Sequence, residues 1–342
     1  MAELLFVIDP IDHLKPHKDS TVAMMRAAAS RGHTLWATEP RCLSVSWPRP
    51  GGAEVRAAAV SILLSPTHEG PHEGPHESPH EGPHEGPQGG SQGGWFQRRS
   101  EALLAPNDLH AVIMRKDPPY DVDYHVCTQL LELFERAGVP VFNRPRALRD
   151  HGEKTAVLEF SAFAPEGIVS TSYSEILSFA RGFERIVIKP LDAMGGSGIF
   201  LSHASDPNLP VMVETLSLQG SRQIMAQRWL PEIVQGDKRV LLIDGEPFPY
   251  CLARIPPEGA SRGNLAAGGR GEARPLSARD REIAQALGPV LKARGLMLVG
   301  LDIIGDRLTE INVTSPTGFQ EIAQQTGQNP AWAWLDALEA AL

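Results

Sequence analysis

Strand-like and helix-like segments alternate through the first 145 residues, and no other feature of the sequence restricts the fold as much. ELLFVID reads as a strand, STVAMMRAAASRG as a helix and HTLWATE as a strand. After an interruption, HAVIMRK is a strand, YHVCTQLLELFERAG an amphipathic helix and VPVFN another strand. Parallel neighbours need a crossover that returns the chain over the sheet, so this order predicts βαβ units on a parallel sheet. The interruption, at about 66–94, repeats Pro, Gly, His and Glu with a period of four. Its prolines exclude a helix and it has no apolar face to bury, so a disordered surface loop is expected. Metal binding through His68, His72, His76, His80 and His84 is the alternative. An extended polyproline-like chain spaces them about 12 Å apart, at ~3.1 Å per residue, too far to share an ion without tight folding.

From about residue 146 the pattern changes to α+β with antiparallel strands. EKTAVLEFSAFA predicts a helix and RIVIKPL a strand, followed by a Gly-rich loop and GIFLS. QIMAQRWLP precedes a hairpin, KRVLLIDGEPFPYCLARIP, whose Asp244-Gly245 pair supplies the turn. A second Gly-rich stretch leads to a helix, SARDREIAQALGPVLKARG, and the final hairpin is VGLDIIGDRLTEINVT, turned at Gly305-Asp306. At 342 residues, two or three compact units are expected. The balance of 41 acidic against 32 basic residues argues against nucleic-acid binding through bulk charge. Cys42, Cys127 and Cys251 are too scattered for a disulfide framework or a CxxC metal site. The N-terminal apolar run is short and no later run approaches a membrane span, so a cytoplasmic protein is expected.

The chemistry is concentrated in the second half. In IVIKPLDAMGGSGIF the glycines lead into a strand, which excludes the helix required by P-loop and Rossmann fingerprints. Gly195, Gly196 and Gly198 allow backbone N–H groups close to phosphate oxygens, with Lys189 just before them. A plain flexible hairpin accounts for the same glycines. Lys154 offers a second cation, Asp237, Lys238 and Arg239 lead into one strand, and Arg254 closes its partner. In the last hairpin Glu310 and Asn312 share a strand face by the period of two, and Asp302 lies in the preceding strand. Uncompensated carboxylates among buried strands are costly, and hard oxygens on neighbouring strands suit Mg²⁺. A solvent-facing edge hairpin is the competing explanation. Cations, oxygen ligands and a Gly-rich lid together describe an ATP site.

These residues carry a resemblance to the bacterial glutathione synthetases of the ATP-grasp superfamily. It extends over IDPIDHLKPHKDST, MRKDPPYD, IVIKPLDAMGGSGIF, GDKRVLLIDGEPFPYCLARIP, RGNLAAGGRGE and VGLDIIGDRLTEINVTSPTG. The resemblance implies a pre-ATP-grasp α/β domain at 1–145, a small ATP-grasp subdomain at 146–228 and a C-terminal subdomain at 229–342. It implies joining of γ-glutamylcysteine to glycine with ATP as co-substrate and Mg²⁺, or Mn²⁺, as cofactor, and a homo-oligomer. Carried over, Lys154, Lys189, Gly195 and Gly196 would contact ATP phosphates, Gln227, Arg228, Trp229 and Leu230 would line the adenine pocket, and Asp237 would help hold the nucleotide. Arg115, Arg239 and Arg254 would face the dipeptide, the last two acting in catalysis, with Ser315 and Pro316 as further substrate contacts. Asp302, Glu310 and Asn312 would bind the metal. Three positions depart from the family pattern: Ala193 stands where many relatives have glycine, His-Gly-Glu-Lys at 151–154 replaces Asn-Glu-Lys, and the His/Glu/Pro repeat has no counterpart. A different ATP-grasp ligase and a non-catalytic nucleotide- or metal-binding protein are the rival readings.

Overall fold

The computed structural model describes residues 1–47, 52–65, 94–258, 263 and 268–342. The repeat and most of the stretch from Pro257 to Gly271 therefore lie outside the described residues. The first unit contains β1 (Glu3–Val7), α1 (Ser20–Ser30), β2 (Thr34–Thr38), β3 (Leu43–Ser46), β4 (Glu54–Leu64), β5 (Phe96–Leu104), β6 (Ala111–Met114), α2 (Val122–Arg136), β7 (Val141–Phe142) and α3 (Pro145–Asp150). The expected parallel core is present: β1 pairs in parallel with β2 and β6, and β6 with β7. The sheet order β3-β4-β2-β1-β6-β7 adds what the sequence reading omitted, an antiparallel extension in which β4 pairs with β2, β3 and β5. Antiparallel neighbours need no crossover helix, so none marks these strands in the sequence. At the end of the β4–β5 arm, Ser65 N donates to Trp95 O at 2.9 Å and Ser65 Oγ to Gly94 O at 2.9 Å.

The second unit is a four-stranded antiparallel sheet of β8 (Gly167–Ser170), β9 (Ile186–Pro190), β10 (Phe200–Ser202) and β11 (Ile224–Arg228), in the order β10-β9-β11-β8. Its helices are α4 (Tyr173–Ala180) and α5 (Leu209–Leu216). The period of two sorts its side chains: Ile186, Ile188, Ile224 and Ala226 pack with Ile176 and Val213 of the helices, while Val187, Lys189 and Gln227 face the opposite way, into a cavity. The third unit is an antiparallel sheet of β12 (Asp237–Ile243), β13 (Glu246–Ile255), β14 (Arg270–Pro275), β15 (Leu298–Ile304) and β16 (Arg307–Asn312), in the order β14-β13-β12-β15-β16. With it run α6 (Ala278–Ala293), α7 (Phe319–Thr326) and α8 (Pro330–Ala341).

Two cores join the first and third units. Leu4, Phe6 and Ile8 of β1 and its extension meet Met24 and Met25 of α1, Leu241 of β12 and Trp334 of α8. Leu5 and Val7 belong with Leu131 and Phe134 of α2, and the same cluster continues into Val240 of β12, Leu301 of β15 and Leu287 of α6. Asn143 adds a polar clasp: its Nδ2 donates to Leu298 O and Val313 O, both at 2.7 Å, and its Oδ1 accepts from Leu298 N at 2.9 Å. Among the described residues no helix is long and apolar enough to cross a membrane.

One expected helix does not form. Residues 153–164 make only a 3-10 segment, Ala156–Phe160, among turns. The cause is β16, whose Ile311 N donates to Glu153 O at 2.9 Å and Leu308 N to Phe163 O at 2.9 Å. The carbonyl that would close the first helical turn instead satisfies a neighbouring strand, so tertiary hydrogen bonding overrides local helix preference.

Candidate active site

The polar end of the third sheet, the inner face of the second and the segment before α1 enclose a cavity of about 510 Å³. Strand register assembles its charges. Across the third sheet Leu252, Arg239, Asp302 and Glu310 stand side by side on β13, β12, β15 and β16, and the adjacent row pairs Arg254 with Asp237. Arg239 Nε donates to Asp302 Oδ1 at 2.6 Å and its Nη2 to Oδ2 at 3.1 Å. Arg254 Nη2 lies 2.9 Å from Asp302 Oδ2 and 2.5 Å from Asp237 Oδ2. The cost of burying carboxylates is thus met within the chain itself, Asp302 by two arginines and Asp237 by one.

The electrostatics follow from burial and this pairing. Burial favours a neutral Asp302, but Arg239 and Arg254 outweigh it and hold the carboxyl well below its ordinary range. Burial pushes Asp237 up to about 6, aided by the negative charge of Asp302 and opposed by Arg254. Arg254 is itself raised, since Asp237 and Asp302 together overcome the desolvation that lowers it. Burial lowers Lys189, an ammonium opposed most strongly in this by the negative charge of Glu310.

A second group of contacts runs along the rim. Lys154 Nζ lies 3.0 Å from Glu310 Oε1 and also donates to Ala193 O, so one ammonium spans β16 and the Gly-rich loop. Lys189 Nζ donates to Thr309 O at 3.4 Å. Gly195 and Gly196 have φ of +63° and +79°, a conformation costly for residues with a Cβ, which explains glycine at these positions. Asn312 Nδ2 donates to Gly300 O at 3.3 Å, leaving the direction of its Oδ1 acceptor fixed by the strand. Gln227, Arg228, Trp229 and Leu230 line the far wall, where Arg185 lies over the Trp229 ring at 5.3 Å.

The expected site residues Lys154, Lys189, Gly195, Gly196, Asp237, Arg239, Arg254, Asp302, Glu310, Asn312, Ser315 and Pro316 all border this one cavity. Arg115 does not line it. Its guanidinium is buried behind the wall, with Nε donating to Thr21 Oγ1 at 3.0 Å and Nη2 to Pro316 O at 3.1 Å. Lys15, Lys18, Asp19, Asp117 and Glu153 border the cavity and were not singled out from sequence. Asp117 accepts from the Ser315 hydroxyl, and burial raises its carboxyl. Each sits within a quoted motif, but neither spacing nor periodicity separates it from its charged neighbours.

Solved structures with a similar fold define the fold class. D-cycloserine synthetase DcsG superposes with a TM-score of 0.65 at 12% identity, covering 99% of both chains. The ATP-grasp ligase PsnB complexed with a minimal precursor gives 0.62 at 16% identity, covering both chains completely. The fold is that of the ATP-grasp ligases. The N-terminal domain of prokaryotic glutathione synthetase matches residues 2–149, and its ATP-grasp domain matches 153–327. The glutathione synthetase of Nitrosomonas europaea is 49% identical over 337 residues, 98% of this chain and 97% of that one. That of Neisseria meningitidis serogroup B is 46% identical over 340 residues, 99% of each. The chain belongs to the prokaryotic glutathione synthetase family, and with it to the ATP-dependent ligases of glutathione synthesis.

Proposed function

We propose that the cavity joins the cysteinyl carboxylate of γ-glutamylcysteine to the amine of glycine through an acyl phosphate. The observation that carries this reading is the convergence, in one cavity, of Lys154, Lys189, Arg239 and Arg254 with Asp302, Glu310 and Asn312. A carboxylate is a poor acylating agent because oxide would have to leave. Attack of its oxygen on the γ-phosphorus of ATP, with cleavage of the bond to ADP, replaces oxide by phosphate as leaving group. The glycine nitrogen then attacks the carbonyl carbon, the C–O bond to phosphate breaks, and the amine gives up its proton.

The residues divide the work. Lys154, Lys189 and the backbone of Gly195 and Gly196 hold the phosphates, Gln227 to Leu230 take the adenine, and Asp237 helps fix the nucleotide. Arg239 and Arg254 face the reacting carbonyl, where positive charge stabilises the developing oxyanion. Ser315 and Pro316 position the dipeptide, and Arg115 acts from behind them through Pro316 O. Asp302, Glu310 and Asn312 supply hard oxygens on one face of the β15–β16 hairpin, a donor set that suits Mg²⁺ or Mn²⁺. When bound there, the ion would add positive charge next to the transferring phosphoryl group. A homo-oligomer acting in the cytoplasm is the accompanying expectation, checked by size-exclusion chromatography and fractionation.

The test is phosphate release from ATP with γ-glutamylcysteine, with and without glycine, with the peptide product identified by mass. Glutathione formed in step with phosphate supports the reading. Phosphate release that is unaffected by glycine, or a different amine strongly preferred, would sink it.

A further inference from the structure

Lys154 follows a residue whose side chain makes several hydrogen bonds at the β16 end of the cavity. Glu153 Oε1 accepts from Val313 N at 3.1 Å, Thr314 N at 3.2 Å and Thr314 Oγ1 at 2.8 Å. The backbone carbonyl of the same residue accepts from Ile311 N at 2.9 Å. Four bonds thus fasten residues 311–314 to the residue immediately before Lys154. This is the stretch that contains Asn312 and runs directly into Ser315 and Pro316, all on the cavity wall.

The arrangement is more than a strand-end cap. Lys154 reaches forward from Glu153 to Glu310 and to the Gly-rich loop at Ala193 O. Glu153 and Lys154, adjacent in sequence, therefore hold the phosphate loop, the β16 carboxylate and the substrate segment to one another. The Glu153 carboxylate also lies in the field of Glu310, which together with burial raises it. Such a position is a poor place for a negative charge, so its value lies in accepting hydrogen bonds.

We propose that Glu153 is a positioning residue for the ligase reaction: as a triple acceptor it sets the placement of residues 311–316 against Lys154. The inference rests on the active-site assignment above. Reacting groups must be held in near-attack geometry, and a displacement of about 1 Å is enough to lower turnover about 100-fold. These bonds tie residues 311–314 to the residue next to Lys154, while the wall at 227–230 is carried by a different sheet.

The experiment compares Glu153→Ala and Glu153→Gln in the full-length enzyme, reading kcat, both KM values and the unfolding midpoint. Glu153→Ala is expected to lower kcat about 100-fold and raise the γ-glutamylcysteine KM, with the ATP KM little changed. Glu153→Gln keeps an oxygen able to accept from all three donors, so it is expected to restore kcat to within about threefold of wild type. Equal losses in both variants would overturn the proposal, because charge and not acceptance would then be required. A lowered midpoint with normal kcat in Glu153→Ala would overturn it too, leaving a purely structural role. If Glu153→Ala does not fold, Thr314→Val decides, since it removes one of the three donors: a fall in kcat of about tenfold supports the proposal and wild-type kcat refutes it. Glutathione formation by the wild-type enzyme, measured alongside, tests the underlying assignment separately.

Discussion

Asp302 and Glu310 stand opposite each other on the β15–β16 hairpin, yet they live in different surroundings. Asp302, on the interior strand β15, is 5% exposed and bound by two arginines. Glu310, on the edge strand, is 23% exposed and meets one lysine, which also serves the Gly-rich loop. The central carboxylate is fixed by the fold, and its charge is needed to hold Arg239 and Arg254 in place. The edge carboxylate is held by a partner that has an alternative, so under the proposed function it is the one able to change partners on binding of a phosphate and a cation. Two residues of similar chemistry on one hairpin thus divide between maintaining the site and operating it.

The harshest test of that division is Asp302→Asn. It leaves two buried guanidinium groups without their shared anion, and breaking a buried pair in this way costs about 3–5 kcal/mol. Urea unfolding at neutral pH measures it, and wild-type stability would erase the contrast between centre and edge. Next in size is Glu310→Gln, where the loss should fall on catalysis. Turnover is expected to drop by roughly 30- to 1000-fold, about 2–4 kcal/mol, with partial recovery at high Mg²⁺. Stability should fall less than in Asp302→Asn, since one pair is lost instead of two and Lys154 keeps its bond to Ala193 O. Normal turnover at low Mg²⁺ would end the metal assignment of Glu310.

Acid titration sharpens the comparison within the centre itself. Native Asp237 takes up its proton near pH 6, whereas an unfolded aspartate does so near ~3.9. Its contribution to stability is therefore complete below about pH 4 and lost as pH rises through about 6. Asp302 acts in the opposite sense, stabilising above about 3.9 and losing that contribution as pH falls further. The unfolding midpoint should rise between pH 6.5 and about 4.5 and fall below that, with Asp237→Asn flattening the first slope. An unchanged slope in that variant would assign it to Glu153 and Asp117, whose carboxyls burial also raises. The smallest effect is expected from removing residues 67–90, since the arm on either side is already closed by the bonds of Ser65 to Gly94 and Trp95. Such a chain should keep kcat and midpoint nearly unchanged; a tenfold loss of turnover would show that the active site is not independent of the β4–β5 arm.

Read from sequence, the parallel strands β1, β2, β6 and β7, the hairpin turned at Asp244-Gly245 and that turned at Gly305-Asp306 were all legible, because periodicity and turn residues are local properties. The antiparallel strands β3 to β5 were not legible because β5, FQRRSEALL, is mostly polar and lacks a period-two apolar face, and the helix expected at 153–164 gave way to hydrogen bonds from β16. The residue types of the site were legible too: lysines near glycines, arginines in strands, and oxygen-bearing side chains two apart in an apolar hairpin.

What the chain could not disclose locally is which charge answers which. Arg239 meets Asp302 because β12 pairs with β15 in one register, and Arg254 meets Asp237 because β13 pairs with β12 in another. Lys15 and Lys18 reach the cavity only because α1 packs against α7 and α8, more than 290 residues further along. Sequence determined the strands, the turns and the chemical kinds of side chain, since these depend on neighbours within a few positions. Tertiary structure decided compensation, burial and hence protonation, since the energy of a charge depends on every group within a few ångströms, whatever its distance along the chain.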